Sequence, residues 1–210
     1  MGAPEYIVYV VDDDVRMREA VGELFASLDV ASVTFASVAD YVAYTKPELP
    51  ACLILDVKLP DINGLDFQQQ LGDAYHPPIV FITGHGDIPS SVRAMKAGAV
   101  DFLAKPFSRP DLMAAIEAAI ARDRLVRLER TELGRLQQRY SSLTPRESEV
   151  LPLIVSGLLN KQAAVELGIS EVTLQIHRSR IMQKMAADSF ADLVRMAGQL
   201  NIAIGRRKPQ

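Results

Sequence analysis

Chemically active residues stand where four short apolar runs of the chain end. Asp12, Asp13 and Asp14 follow the run 6–11, Asp56 closes 52–56, Thr83 closes 79–83, and Lys105 follows 100–104. If these runs are neighbouring parallel strands, their carboxyl ends converge in one crevice. Clustered carboxylates repel one another unless a hard cation neutralises them, and Mg²⁺ prefers such oxygens. A carboxylate beside Mg²⁺, with a hydroxyl and an ammonium at hand, is equipped to accept a phosphoryl group. Each element alone is commonplace. A run of three Asp after a strand is usually a solvated turn or a helix start, Lys105-Pro106 is an ordinary loop dipeptide, and a single strand-end Thr says nothing. Their joint placement at successive strand ends carries the signal.

A second constellation lies near the end of the chain. On a helical wheel, residues 171–185 put Leu174, His177, Ile181 and Met185 on one side and Val172, Gln175, Ile176, Ser179 and Gln183 on the other. Arg178, Arg180 and Lys184 flank that second face and could reach phosphates, as could Lys161 on the preceding helix. Ile176, apolar and outward, suits a thymine methyl. The plainer alternative is a helical bundle with a solvated face, in which His177 is packed rather than functional.

The elements that must position these groups follow from the pattern of apolar residues. Strand candidates are 6–11, 31–35, 52–56, 79–83 and 100–104, separated by helical stretches at 16–28, 38–44, 64–71, 88–97 and from 111 onward. Five strands with intervening helices in about 120 residues read as a doubly wound α/β sheet of the flavodoxin type. Ser108, with Asp111 three residues on, opens a helix that meets no Gly or Pro from Asp111 until Gly134. Leu125, Leu128, Leu133, Leu136 and Tyr140 make an irregular apolar seam along it; it either associates with a neighbour or is solvated. Thr144-Pro145-Arg146-Glu147 is a capping box with Pro at the first helical position. Asn160, Ser170, and Asp188 or Ser189 are the expected caps of three more helices. The middle two, joined by Gly168-Ile169-Ser170, have the pattern of a helix-turn-helix.

Charge divides the chain in the same places. Its 210 residues are 49% apolar, which excludes general disorder, and the net charge is −3. Taken whole, that argues against an acidic partner. By segment, residues 1–122 hold 9 basic and 17 acidic side chains (−8), 123–143 hold 5 and 3 (+2), and 144–210 hold 9 and 6 (+3). The division expected is an acidic first domain, a helical linker at 123–143 and a basic all-α domain at 144–210. The lone Cys52 sits in an apolar run and reads as a buried, inert thiol. No stretch is long and apolar enough for a membrane span and no signal-peptide pattern opens the chain, so a cytoplasmic protein is expected.

The motifs VVDDD, LDVKLPDINGLDF, VFITGHGD and AMKAGAVDFLAKPF resemble the receiver domain of two-component response regulators, the FixJ-like subgroup in particular, over about residues 6–122. The resemblance implies that Asp56 is the phospho-acceptor. It implies that Asp12, Asp13, Asp56 and the Lys58 backbone carbonyl bind Mg²⁺, and that Lys105 and Thr83 hold the phosphoryl group. Phe102 would be the switch aromatic, the Lys105-Pro106 bond would be cis, and the active dimer would form around residues 88–97 and 100–105. LTPRESEVL, GLLNKQAAVELGIS and EVTLQIHRSRIMQKM are similar to the LuxR-type helix-turn-helix over about 141–204. That likeness implies DNA contacts among Lys161, Thr173, Gln175, Ile176, Arg178, Ser179, Arg180, Gln183 and Lys184. Two departures stand out: Pro152 inside a helix, where a kink is expected, and Gln175 where the family commonly has Lys.

The implied function is phosphorylation-controlled regulation of transcription. The partners expected are a sensor histidine kinase, double-stranded promoter DNA, RNA polymerase and a second copy of the chain, and no turnover of external substrates is expected. The alternatives are an Mg²⁺-dependent aspartate-nucleophile phosphohydrolase, although Asp12-Asp13-Asp14-Val15-Arg16 lacks the Thr of the D-x-D-x-T motif, and a DNA-binding protein whose receiver serves only for dimerisation.

Overall fold

The computed structural model describes residues 4–72, 74–84 and 88–202. The last three residues of VFITGHGD and the outer ends of the two terminal segments lie outside the described residues. Two compact units, Met1–Arg127 and Leu128–Gln210, divide the chain.

In the first unit β1 (Ile7–Val11), β2 (Ser32–Phe35), β3 (Ala51–Asp56), β4 (Ile79–Thr83) and β5 (Asp101–Ala104) form one sheet of order β2-β1-β3-β4-β5. All its pairings are parallel. Strands covered on both faces must be apolar throughout, which is why these segments read as continuous rather than alternating runs. The pleat sends successive residues to opposite faces. Tyr9, Leu53, Leu55 and Phe81 pack against α2 (Val38–Ala43), α3 (Gly64–Leu71) and α4 (Ile88–Lys96). Val8, Val10, Ile54, Val80 and Ile82 pack against Phe25 of α1 (Val15–Ser27) and Leu112 and Ile116 of α5 (Arg109–Ser141). Cys52 is fully buried on that second face, and its burial raises the thiol pKa.

The helix α5 starts as expected, with Asp111 N–H donating to Ser108 Oγ at 3.2 Å, and continues through Gly134 without a break. A buried carboxylate ties it to the sheet. Asp123, 0% exposed, accepts from the Ala51 amide at the start of β3 (2.9 Å), from the Tyr75 hydroxyl (2.8 Å) and from Arg127 Nε (2.7 Å). Leu125, Leu128 and Leu133 stay exposed, while Leu136 is buried in the second unit's core and Tyr140 packs against it.

That core joins the end of α5 to α6 (Pro145–Val155), α7 (Asn160–Glu166), α8 (Glu171–Met185) and α9 (Phe190–Gln199). The capping box at Thr144 forms with both bonds, the Glu147 amide to Thr144 Oγ1 (3.3 Å) and the Thr144 amide to Glu147 Oε2 (2.9 Å). Ser170 caps α8 and Ser189 caps α9. As expected, α6 runs from Pro145 to Val155 with Pro152 inside it. One detail differs from expectation. The N-cap of α7 is Leu159, whose amide donates to Gln162 Oε1 at 3.1 Å, because the Asn160 carboxamide is engaged by Arg178 from 18 residues away. Among the described residues no helix is long and apolar enough to cross a membrane.

Candidate functional site

Strand register assembles the first site. Val11 pairs with Leu55, Asp56 with Ile82 and Thr83 with Ala104, so the residues at the carboxyl ends of β1, β3, β4 and β5 stand in a row. Asp12 is 0% exposed, Asp56 6% and Thr83 1%, while Asp13 is exposed. Lys105, following β5, reaches back across β4. Its Nζ lies 2.6 Å from Asp12 Oδ2 and 2.6 Å from Asp56 Oδ2. The other Asp56 oxygen accepts the Lys58 amide at 3.0 Å. The peptide bond Lys105-Pro106 is cis. Phe102 is half-buried beside Phe81, ring centroids 6.2 Å apart.

The three consecutive acids divide their tasks. Asp14 is the N-cap of α1, accepting the Arg16 amide at 2.9 Å, and its own amide donates to Asp12 Oδ1 at 3.0 Å. Asp12 and Asp13 face the site instead. One ligand oxygen each from Asp12, Asp13 and Asp56 lies within 4.8 Å of the others. Three carboxylates against one ammonium leave the cluster short of positive charge, and a hard cation with oxygen preference is what the donor set accommodates. Burial raises the Asp12 pKa, and the bonds from Lys105 and Asp14 only partly offset that. Burial also works against the Lys105 ammonium, but there the bonds to Asp12 and Asp56 outweigh it and raise the pKa. Lys105, the group that orders this site, is therefore ionised, and burial is the main cost of the Asp12 carboxylate beside it.

One contributor escaped the sequence reading. A Cβ on Gly64 would stand 2.4 Å from the backbone oxygen of Asp56, so only glycine lets α3 begin against the end of β3. The signal was present, an Asn63-Gly64 pair between a strand and a helix. Asp61 was also missed; its Oδ2 accepts the Val38 amide at 3.0 Å and so caps a helix 23 residues back.

In the second unit the wheel's inward side is buried at Leu174, Ile181 and Met185, with His177 half-buried. Val172, Gln175, Ile176, Ser179 and Gln183 are exposed, as are Arg180 and Lys161. Thr173 is half-buried and its hydroxyl lies 2.8 Å from Ser170 Oγ. Two of the flanking cations are held inward instead. Lys184 Nζ lies 2.6 Å from Glu147 Oε2, a carboxylate 2% exposed, and 3.1 Å from the Ser142 carbonyl oxygen. The Lys184 bond is the main cause that keeps the Glu147 pKa below the ordinary carboxylate range. Arg178 donates to Asn160 Oδ1 at 3.0 Å and covers the Phe190 ring. Wheel geometry places both near the outward face, but their long side chains fold back to partners it does not contain.

Comparison with known proteins gives these two sites a family. Residues 8–117 match the response regulator receiver domain, and residues 141–197 match the LuxR family of bacterial regulatory proteins. The chain belongs to the two-component response regulators, in the FixJ-like group that joins a receiver to a LuxR-type helix-turn-helix domain. Nodulation protein W of Bradyrhizobium diazoefficiens is 48% identical over 198 residues, covering 94% of this chain and 87% of its own length. The response regulator protein TodT of Pseudomonas putida is 43% identical, covering 92% and 86%. Among solved structures, the response regulator StyR is similar at 44% identity with a TM-score of 0.77, covering 93% of this chain and 99% of its own. Full-length FixJ from B. japonicum is similar at 33% identity with a TM-score of 0.54, covering 96% and 100%. The family carries a transcription regulator with a kinase partner and DNA binding, and it favours neither the phosphohydrolase nor the dimer-only reading.

Proposed function

We propose that phosphoryl transfer to Asp56 switches this protein from a weakly to a tightly DNA-binding state. The observation that carries the proposal is the pair of 2.6 Å contacts by which Lys105 bridges Asp12 and Asp56 at the ends of adjacent strands. Asp56 is the nucleophile. One of its carboxylate oxygens forms a bond to phosphorus as the bond from phosphorus to the imidazole nitrogen of the kinase's phosphohistidine breaks, and the leaving imidazole takes up a proton. The amide of Lys58 fixes the rotamer of the acceptor. Lys105 already touches Asp56 and follows the new charge on it, while Thr83, buried at the next strand end, supplies a hydroxyl to a phosphoryl oxygen. Mg²⁺, held by Asp12, Asp13, Asp56 and the Lys58 carbonyl, would neutralise charge on the transferred group. The chain thus catalyses only its own phosphorylation and dephosphorylation.

The readout runs through β5 and α4 to association of two copies. Ile88, Val92 and Met95 line one side of α4 at helical spacing and are 80%, 45% and 46% exposed, an apolar stripe suited to a two-fold contact. Paired α8 helices then read inverted half-sites of a promoter in the cytoplasm, and bound RNA polymerase is activated. Gln175 suits adenine and Ile176 a thymine methyl. Intact mass after incubation with a small phospho-donor and Mg²⁺ tests the acceptor. One added phosphoryl group on the wild type and none on Asp56→Asn is expected; equal labelling of both would reject Asp56.

A further inference from the structure

We infer that Arg178 is a positioning residue of the DNA-binding module, which locks the start of α7 to the reading helix, and does not contact phosphate. Sequence alone ranks Arg178, Arg180 and Lys184 beside the outward face of α8, and Lys161 on α7, alike as cations that could reach phosphates. The structure separates them. Lys161 and Arg180 are exposed and hold no inward tether among the described residues. The guanidinium of Arg178 is half-buried, with Nη1 3.0 Å from Asn160 Oδ1 and its central carbon 4.3 Å from the centroid of the Phe190 ring.

Those two contacts use both properties of a guanidinium, the donor edge and the flat face. Asn160 is the first residue of α7 and Phe190 the first of α9, so one side chain on α8 fixes the starts of two other helices. Lys161 stands next to Asn160. The distance between a phosphate-reaching lysine on α7 and the base-reading face of α8, at Gln175 and Ile176, is therefore set through Arg178. Preorganisation of that kind raises affinity for the one duplex whose phosphates and base edges are correctly spaced, and adds nothing on a duplex read through phosphates alone. It also explains why Asn160 does not cap α7: its carboxamide oxygen is committed to the tether.

The inference rests on DNA reading by α8, and the test keeps the two apart. Full-length phosphorylated protein is first used to enrich duplexes from a random pool. Binding is then measured against salt on the enriched duplex and on one unrelated duplex, for wild type, Arg178→Gln, Asn160→Ala, the double variant and Lys161→Ala. Arg178→Gln and Asn160→Ala are each expected to weaken binding to the enriched duplex about tenfold, to leave the unrelated duplex and the salt slope unchanged, and not to add in the double variant. Lys161→Ala is expected to weaken both duplexes and lower the slope by about 0.9. Should Arg178→Gln weaken both duplexes and lower the slope likewise, it is a phosphate contact and the inference fails. Should the folded variants bind both duplexes like wild type, the tether is merely structural and the inference also fails. If Arg178→Gln melts below the assay temperature, Asn160→Ala, which removes only the hydrogen bond, decides between these outcomes. If the wild type enriches no duplex, DNA reading itself is wrong and the inference falls with it.

Discussion

Replacing Asp12 by Asn should make the metal-free protein more stable and abolish its response to Mg²⁺. The ion pair lost is the Lys105 contact at 2.6 Å, worth about 6 kcal/mol at an effective dielectric near 20. The repulsion removed is chiefly that from Asp56, whose ligand oxygen lies within 4.8 Å, about 3.5 kcal/mol or more on the same scale, because the exposed Asp13 is screened by water. The attraction lost exceeds that repulsion, and the desolvation of a carboxylate with no exposed surface, the largest cause of its raised pKa, makes up the difference and tips the balance. Asn keeps the oxygen that accepts the Asp14 amide, and Lys105 keeps Asp56. A gain of about 1 to 2 kcal/mol in denaturant unfolding is expected. The pH dependence has a definite sign. Because burial raises the folded pKa of Asp12, its contribution is most favourable below the ordinary carboxylate pKa and is lost as pH rises through the folded value. The gain from Asp12→Asn should therefore grow from acid toward neutral pH. Mg²⁺ should stabilise wild type by mass action and leave Asp12→Asn nearly unmoved. A metal-free Asp12→Asn protein less stable than wild type, or one stabilised equally by Mg²⁺, would refute the electrostatic picture of the site.

Gly64→Ala should lower stability by about 2 kcal/mol or more and abolish phosphorylation, because the new Cβ pushes on the Asp56 carbonyl; melting and intact mass check both. Lys184→Met leaves the buried Glu147 carboxylate unpaired and should cost about 3 kcal/mol at neutral pH, with an unchanged salt slope for DNA. The Glu147 pKa is lowered in the folded protein, so its stabilisation is present above the unfolded carboxylate pKa and lost as pH falls through the folded value; the penalty of Lys184→Met should shrink in acid. Val92→Glu should weaken phosphorylation-dependent association at least tenfold by sedimentation while leaving the phosphoryl mass increment intact.

The strands and the acidic site were legible in the sequence because both depend on local pattern. Residues 52–56 and 79–83 are apolar throughout since both their faces are covered, and Asp56, Thr83 and Lys105 each stand at or just past a strand end. What was not legible depends on contacts distant in the chain. Nothing in the local spacing shows that Asp61 caps α2, that Asp123 holds the start of β3, or that Asn160 serves Arg178 instead of its own helix. The same cause separates Lys184 from Arg180. Both lie close to the outward face on a wheel, but only Lys184 has a buried carboxylate within reach, supplied by a helix 37 residues earlier. The charge division is also local information: an acidic total of −3 conceals a segment at −8 and two at +2 and +3.

The most direct test of the switch is DNA affinity with and without phosphorylation on one enriched duplex, for wild type and Asp56→Asn. Phospho-donor with Mg²⁺ should tighten wild-type binding at least tenfold and leave Asp56→Asn at the unphosphorylated value. Equal tightening of both proteins, or of neither, would contradict control of DNA binding through Asp56.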